Sequence, residues 1–131
     1  MDGDLRKIFR RHLPQVAWTT IETGHVEPGV PDLQGCHDGV EFWVEMKQTT
    51  INIVKVQAAQ VAWHTLRHLR GGRTFFAVRR HVRATDELFL IAGREAAKLR
   101  AEGLRATSPL LVCGRGPTAW DWGRVLSLLR G

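Results

Sequence analysis

The sequence predicts an α/β fold: a mixed sheet flanked by helices, built on the order α-β-β-β-α-β and followed by a short α/β extension from about residue 86. Three observations predict it. The chain has 131 residues, 44% of them hydrophobic, with five Trp and five Phe, which suffices for one core and one domain. Two β-rich runs flank His37-Asp38-Gly39, and Asp-Gly is the preferred centre of a two-residue hairpin. A helix-period segment then lies between two β-rich segments, the pattern of a parallel crossover.

Taken in order, Asp4-Leu5 to Leu13 has apolar residues at helical spacing, Asp4 as N-cap, Arg10 and Arg11 in the last turn and Pro14 as a stop, so a helix is expected over about 4–13. Val16 to Ile21 is β-branched and aromatic, which predicts a strand near 16–22; Gly24, Pro28 and Gly29 mark a loop. With Asp38 and Gly39 as the hairpin loop, His37 pairs with Val40 and every cross-strand pair sums to 77. Asp32 then lies opposite Glu45. Along the second strand Glu41, Trp43, Glu45 and Lys47 share one face, and Phe42, Val44 and Met46 the other.

A helix is expected from about Ile53 to Arg70, with Val56, Ala59, Trp63, Leu66 and Leu69 as its apolar stripe, Gln60 at the edge facing the sheet, and Gly71-Gly72 as the stop. Thr74 to Val78 reads as a buried strand and Leu88 to Ile91 as another short one. Arg94 to Glu102 reads as a helix, Pro109 to Val112 as an edge strand and Asp121 to Leu129 as an amphipathic helix.

The formal charge of +6 comes from 19 Lys and Arg against 13 Asp and Glu, and it is unevenly spread. Residues 12–46 hold Glu22, Glu27, Asp32, Asp38, Glu41 and Glu45 with no Lys or Arg. Residues 46–85 hold Lys47, Lys55, Arg67, Arg70, Arg73, Arg79, Arg80 and Arg83 with no acid. Acids next to a basic stretch suit a protein that holds a divalent cation and presents it to a phosphate backbone. No run approaches the roughly 18 apolar residues of a membrane span. The N-terminus is charged where a signal peptide would be apolar, so a soluble, cytosolic protein is expected. Cys36 and Cys113 lack Cys-x-x-Cys spacing and read as reduced, mostly buried thiols.

Two carboxylates paired across a hairpin, with a lysine two residues on, suit metal-assisted phosphodiester hydrolysis. Asp32 and Glu45 would hold Mg²⁺ or Mn²⁺ through hard oxygens, with the Met46 carbonyl completing the set. Lys47 would neutralise the attacked phosphate or orient the water. Gln60 would hydrogen-bond that water or Lys47, and Glu22 would supply a further carboxylate.

Gly29-Val30-Pro31-Asp32 followed by Glu45-Met46-Lys47 resembles the PD-(D/E)XK nuclease motif. Gln60-x-x-Trp63-x-x-Leu66-x-x-x-x-Gly71 is similar to the helix signature of the VRR-NUC branch, common in phage genomes. The resemblance covers about residues 4–80 and implies a restriction-endonuclease-like core, metal ligands at Asp32 and Glu45, a catalytic lysine at Lys47 and a site glutamine at Gln60. Archaeal Holliday-junction resolvases of the superfamily carry an additional acid on the first helix, where Asp4 stands; related phage sequences place it in the Ile21-Glu22 stretch, and Glu22 is preferred.

The resulting expectation is a metal-dependent endodeoxyribonuclease, structure-selective on double-stranded or branched DNA, working as a homodimer in the cytoplasm of a bacterial or phage-infected cell. Lys55, Arg67, Arg70, Arg73, Arg79, Arg80 and Arg83 would contact the backbone. The rival from another class is a non-catalytic DNA-binding or phage structural protein that keeps the fold.

Other residues carry weaker signals. His64 and His68, one turn apart, lack a third zinc ligand and read as phosphate contacts or surface. His25 and His37 flank the site. Trp43 either walls the site or packs under the first helix. Trp120 and Trp122 are expected to clamp the tail to the core.

Overall fold

The computed structural model describes residues 2–22 and 27–131, the side chains of residues 2 and 3 excepted; His25 lies outside the described residues. The elements are α1 (Asp2–His12), β1 (Ala17–Thr20), β2 (Leu33–His37), β3 (Val40–Thr49), α2 (Ala58–Leu69), β4 (Thr74–Val82), β5 (Thr85–Ala92), α3 (Ala96–Glu102), β6 (Leu111–Cys113) and α4 (Trp122–Arg130). The expected α-β-β-β-α-β order is present. Among the described residues the strands form one six-stranded mixed sheet in chain order. Only β3 and β4, joined through α2, run parallel.

The hairpin turns where Asp-Gly predicts it. Asp38 and Gly39 have φ of 50° and 78°, the paired positive values that a type I′ turn requires. The β2–β3 register runs from His37↔Val40 to Leu33↔Val44, so the expected sum of 77 holds. Alternation along β3 then divides the molecule into layers. Phe42, Val44 and Met46 are fully buried under Leu5 and Phe9 of α1 and Val125 and Leu129 of α4. On the other face, Phe76 and Val78 of β4 and Ile91 of β5 pack against Val54, Val56, Leu99 and Leu104.

Three expectations are corrected. The helix expected over 53–70 begins at Ala58, because Ile53 to Gln57 alternates exposed and buried, with Val54 and Val56 inward. That is the two-residue period of extended chain. The expected apolar stripe also faces the wrong way: Leu66 and Leu69 are 57% and 68% exposed, and the residues α2 buries are Gln60 and His64. Finally, β4 and β5 are longer than their apolar runs and form a hairpin down to Val82↔Thr85. Its outer half is held by ion pairs, Arg79 to Asp86 and Arg80 to Glu87, which hydrophobic patterning does not signal.

The C-terminal segment clamps to the core as expected. Trp120 is 3% exposed. The Trp122 ring stacks on His12 at 4.7 Å and meets Phe9 edge-on at 5.1 Å, while Asp121 accepts a bond from the Arg124 N–H and caps α4. Cys36 and Cys113 are free thiols, and only Cys113 is buried. Among the described residues no helix is long and apolar enough to cross a membrane.

Candidate metal and phosphate site

Asp32 stands one residue before β2, where the Ile21 N–H still donates to its carbonyl. Glu45 and Lys47 lie on the α2 face of β3. Gln60 lies in the first turn of α2. Asp32, Glu45 and Gln60 are 7%, 6% and 8% exposed, and burial of two carboxylates side by side is costly unless donors or cations surround them.

The structure supplies those partners. Asp32 Oδ1 accepts the Met46 N–H at 3.1 Å, and Glu45 Oε1 accepts the Asp32 N–H at 3.2 Å, so Glu45 holds the backbone of Asp32, and Asp32 that of the residue after Glu45. The Gln60 amide donates to Glu45 Oε2 at 3.0 Å, and the Lys47 ammonium lies 3.7 Å from the same oxygen. The Gln60 amide oxygen is occupied in turn, accepting the Gln57 N–H at 3.0 Å at the start of α2. That bond fixes which way round the amide sits. Gln60 therefore turns its NH₂ group, and not its oxygen, toward Glu45.

Two local features deliver the acids. Gly29 has φ of +88°, and a Cβ there would stand 2.1 Å from the Ala59 carbonyl oxygen. Only glycine lets the loop before Pro31-Asp32 press so closely on α2. Register arithmetic places Pro31 opposite Met46, and proline has no N–H. The N–H and C=O of a strand residue point to the same side; the Met46 N–H meets Asp32, and Pro31 has no N–H for the Met46 carbonyl. Two carboxylates and that carbonyl are a hard-oxygen donor set, which fits Mg²⁺ or Mn²⁺.

Glu22 is not drawn in. It is exposed beyond β1, and among the described residues no three His, Cys, Asp or Glu side chains cluster closely enough to hold a metal. Asp4 is exposed on α1, in a cleft with Arg6, Lys7 and Arg10. Instead the structure adds a residue that sequence reading missed: Arg6 reaches from α1 to within 3.4 Å of Asp32 Oδ2. Nothing local ties Arg6 to a residue 26 positions away, so its only sequence signal was membership of the basic first helix.

Several basic candidates have internal tasks. Arg73 donates to the Leu129 and Leu128 carbonyls at 2.7 and 2.8 Å, closing the C-terminal end of α4. Arg79 grips both oxygens of Asp86 at 2.8 and 2.7 Å, and that bond raises its pKa further. Arg80 donates to Glu87 at 2.9 Å. Lys55, Arg70 and Arg83 are exposed. Arg67 lies with its guanidinium 4.3 Å above the Trp63 ring.

His64 contradicts its reading as a surface or phosphate-contacting group. It is fully buried, stacked on Phe76 at 4.2 Å, with Nδ1 3.0 Å from Thr74 Oγ1. Burial, then the nearby Lys47, lowers its pKa to about 3, so the ring is neutral. Trp43 packs edge-on against Trp63 of α2 at 5.4 Å, not under α1.

The sequence matches no protein-family model and no curated protein. Among solved structures it is similar to a Holliday junction resolvase, Hjc, from the archaeal hyperthermophile Archaeoglobus fulgidus, with a TM-score of 0.46 and 16% identity, over 66% of this chain and 74% of that one.

Proposed function

We propose that the protein is a divalent-metal-dependent endodeoxyribonuclease that hydrolyses DNA phosphodiester bonds, with branched DNA as the substrate class its motif resemblance implies. One observation carries the reading: Asp32, Glu45 and Gln60, from a loop, a strand and a helix, meet in a single buried hydrogen-bonded cluster, with the half-buried Lys47 ammonium 3.7 Å from Glu45. A binding protein gains nothing from a buried carboxylate pair facing a polyanion.

In this reading Asp32, Glu45 and the Met46 carbonyl hold Mg²⁺ or Mn²⁺, which when bound supplies Lewis acidity toward the scissile phosphate. Lys47 is the catalytic cation: its ammonium stands beside Glu45 and offsets the charge that grows on the phosphate as water attacks and the ester bond breaks. Gln60 is a positioning residue that holds Glu45 in one rotamer. Arg6 compensates Asp32 and is placed to meet an adjacent phosphate. Lys55, Arg67, Arg70 and Arg83 remain for backbone contacts, and two cuts across a junction call for two copies of the chain.

The test is cleavage of plasmid, linear, forked and four-way DNA in Mg²⁺, Mn²⁺ or EDTA by wild type, Asp32→Asn and Lys47→Ala. Metal-dependent cleavage that falls at least about a hundredfold in both variants is expected. Undiminished cleavage by Asp32→Asn would overturn the site, and absence of any metal-dependent cleavage by the wild type would favour the non-catalytic reading.

A further inference from the structure

Helix α2 is amphipathic in the unexpected sense: it buries Gln60 and His64 and leaves Leu66 and Leu69 more than half exposed, with Trp63 half-buried one turn before Leu66. This outward face lines a groove of about 310 Å³ between Glu27-Pro28 and Ala59, Ala62, Trp63 and Leu66. The same Glu27-Pro28 wall closes a second groove of about 240 Å³ whose floor is Glu45 and Gln60. The two grooves therefore adjoin at Glu27-Pro28, which places the apolar one beside the carboxylate cluster. Trp63 follows Gln60 by three residues, roughly 4.5 Å along the helix axis, within one nucleotide's reach of the reacting centre.

The platform on that face is built. Trp43 and Trp63 meet edge-on at 5.4 Å, and the Arg67 guanidinium lies over both rings, 4.3 Å from the Trp63 centroid and 5.4 Å from that of Trp43. Arg67 has no carboxylate partner among the described residues, so its charge is held on the aromatic pair at the surface. The guanidinium is stacked on the indole, and of the two only Trp63 lines the groove, so Trp63 offers the stacking surface and Arg67 a cation beside it; stacking of this kind accepts any base.

Charge decides between the candidate occupants. Helix α2 carries no acid, and Arg67, His68 and Arg70 follow in its last turn and cap, so three basic side chains stand against the single Glu27 of the facing wall. A two-fold contact between copies through this face would set those cations against their own equivalents. A nucleic-acid strand brings apolar bases and negative phosphates together, which is what the face complements. Resting on the nuclease reading above, we propose that the groove between Pro28 and Trp63-Leu66 receives an unpaired nucleobase of the strand being cut, stacked on Trp63 beside the Arg67 cation. The protein thereby selects DNA whose bases are unpaired at the cleavage point.

The test uses the full chain in EDTA, so that nothing is cut, with splayed-arm DNA carrying 2-aminopurine at the first unpaired position and a duplex of the same length. Wild type quenches the probe and binds the splayed DNA about tenfold more tightly than the duplex, the scale of one stacked base. Trp63→Ala collapses that ratio towards one and abolishes quenching, while Trp63→Phe and Leu66→Ala, which are gentler on the fold, retain and weaken it respectively. Circular dichroism identifies any variant that does not fold, and the comparison with wild type then rests on the gentler pair. An unchanged ratio in folded Trp63→Ala, or in folded Leu66→Ala, overturns the proposal. So does a wild-type dimer at micromolar concentration that Leu66→Asp converts to monomer with quenching intact, which would make the face a contact between copies. Metal-dependent cleavage without any quenching sinks this inference alone; a protein that neither binds nor cuts DNA sinks the nuclease reading with it.

Discussion

Replacing Gln60 by Ala removes two bonds at once, and their sizes follow from what they join. Donation to Glu45 Oε2 is a buried bond to a charged acceptor, a class that contributes about 1.5–3 kcal/mol. Acceptance from the Gln57 N–H secures an end-of-helix donor, about 1 kcal/mol. Alanine returns about 0.4 kcal/mol through its helix propensity, and water entering the gap solvates part of what is lost. The expected net cost is roughly 2–3 kcal/mol. For a urea m-value near 1.5 kcal/mol/M, within the range for small proteins, the unfolding midpoint falls by about 1.5 M, read by far-ultraviolet circular dichroism at pH 7.5. Cleavage falls about 10–100-fold, the usual effect of freeing a ligand's orienting partner. Gln60→Met keeps the volume and removes both polar atoms, so it separates hydrogen bonding from packing. If Gln60→Met were as stable as wild type and cleaved as fast, Gln60 would be neither a cap nor a support for Glu45, and the hydrogen bonds of the cluster would not be what holds it.

Further expectations concern the surrounding structure. Gly29→Ala forces a Cβ against the Ala59 carbonyl at a positive φ; it should lower stability by at least about 2 kcal/mol in the same titration and reduce cleavage by displacing Asp32. Arg79→Ala breaks a half-buried bidentate pair and should cost about 1–3 kcal/mol. It should also leave the slope of log DNA affinity against log salt unchanged, whereas Lys55→Ala should reduce that slope by about one unit. For His64 the folded pKa of about 3 lies below its ordinary 6.5, so the unfolded chain takes up the proton first and stability is lost as pH falls below 6.5. Between pH 6.5 and 5 the wild type should lose about 2 kcal/mol from this residue, and His64→Leu should flatten that part of the stability profile in parallel urea titrations.

Much of the site was legible because it is encoded locally. Asp-Gly sets a two-residue turn, the turn sets the register, and strand alternation then puts Asp32, Glu45 and Lys47 on one side of a hairpin. Gln60 is legible through the helix signature, although the stripe at whose edge it is expected turns outward, and Trp120 and Trp122 are legible from their position at the head of an amphipathic helix. The α2 face was misjudged for a physical reason. Apolar stripes predict burial only when apolar contact is what holds the helix down, and α2 is instead held by Gln60 to Glu45 and His64 to Thr74, whose partners lie on other strands. The basic stretch was overcounted in the same way: Arg79 and Arg80 acquire Asp86 and Glu87 only once β4 folds back on β5.

By itself, then, the sequence determined the order of elements, the hairpin and the pairing of two acids with a lysine, because turn chemistry and two-residue alternation act over a few neighbouring positions. Tertiary structure alone decided that Arg6 meets Asp32, that Arg73 closes α4, and that Leu66 and Leu69 face outward. Those outcomes depend on contacts between residues 10 to 56 positions apart, and no local pattern records which partner a long-range fold will bring.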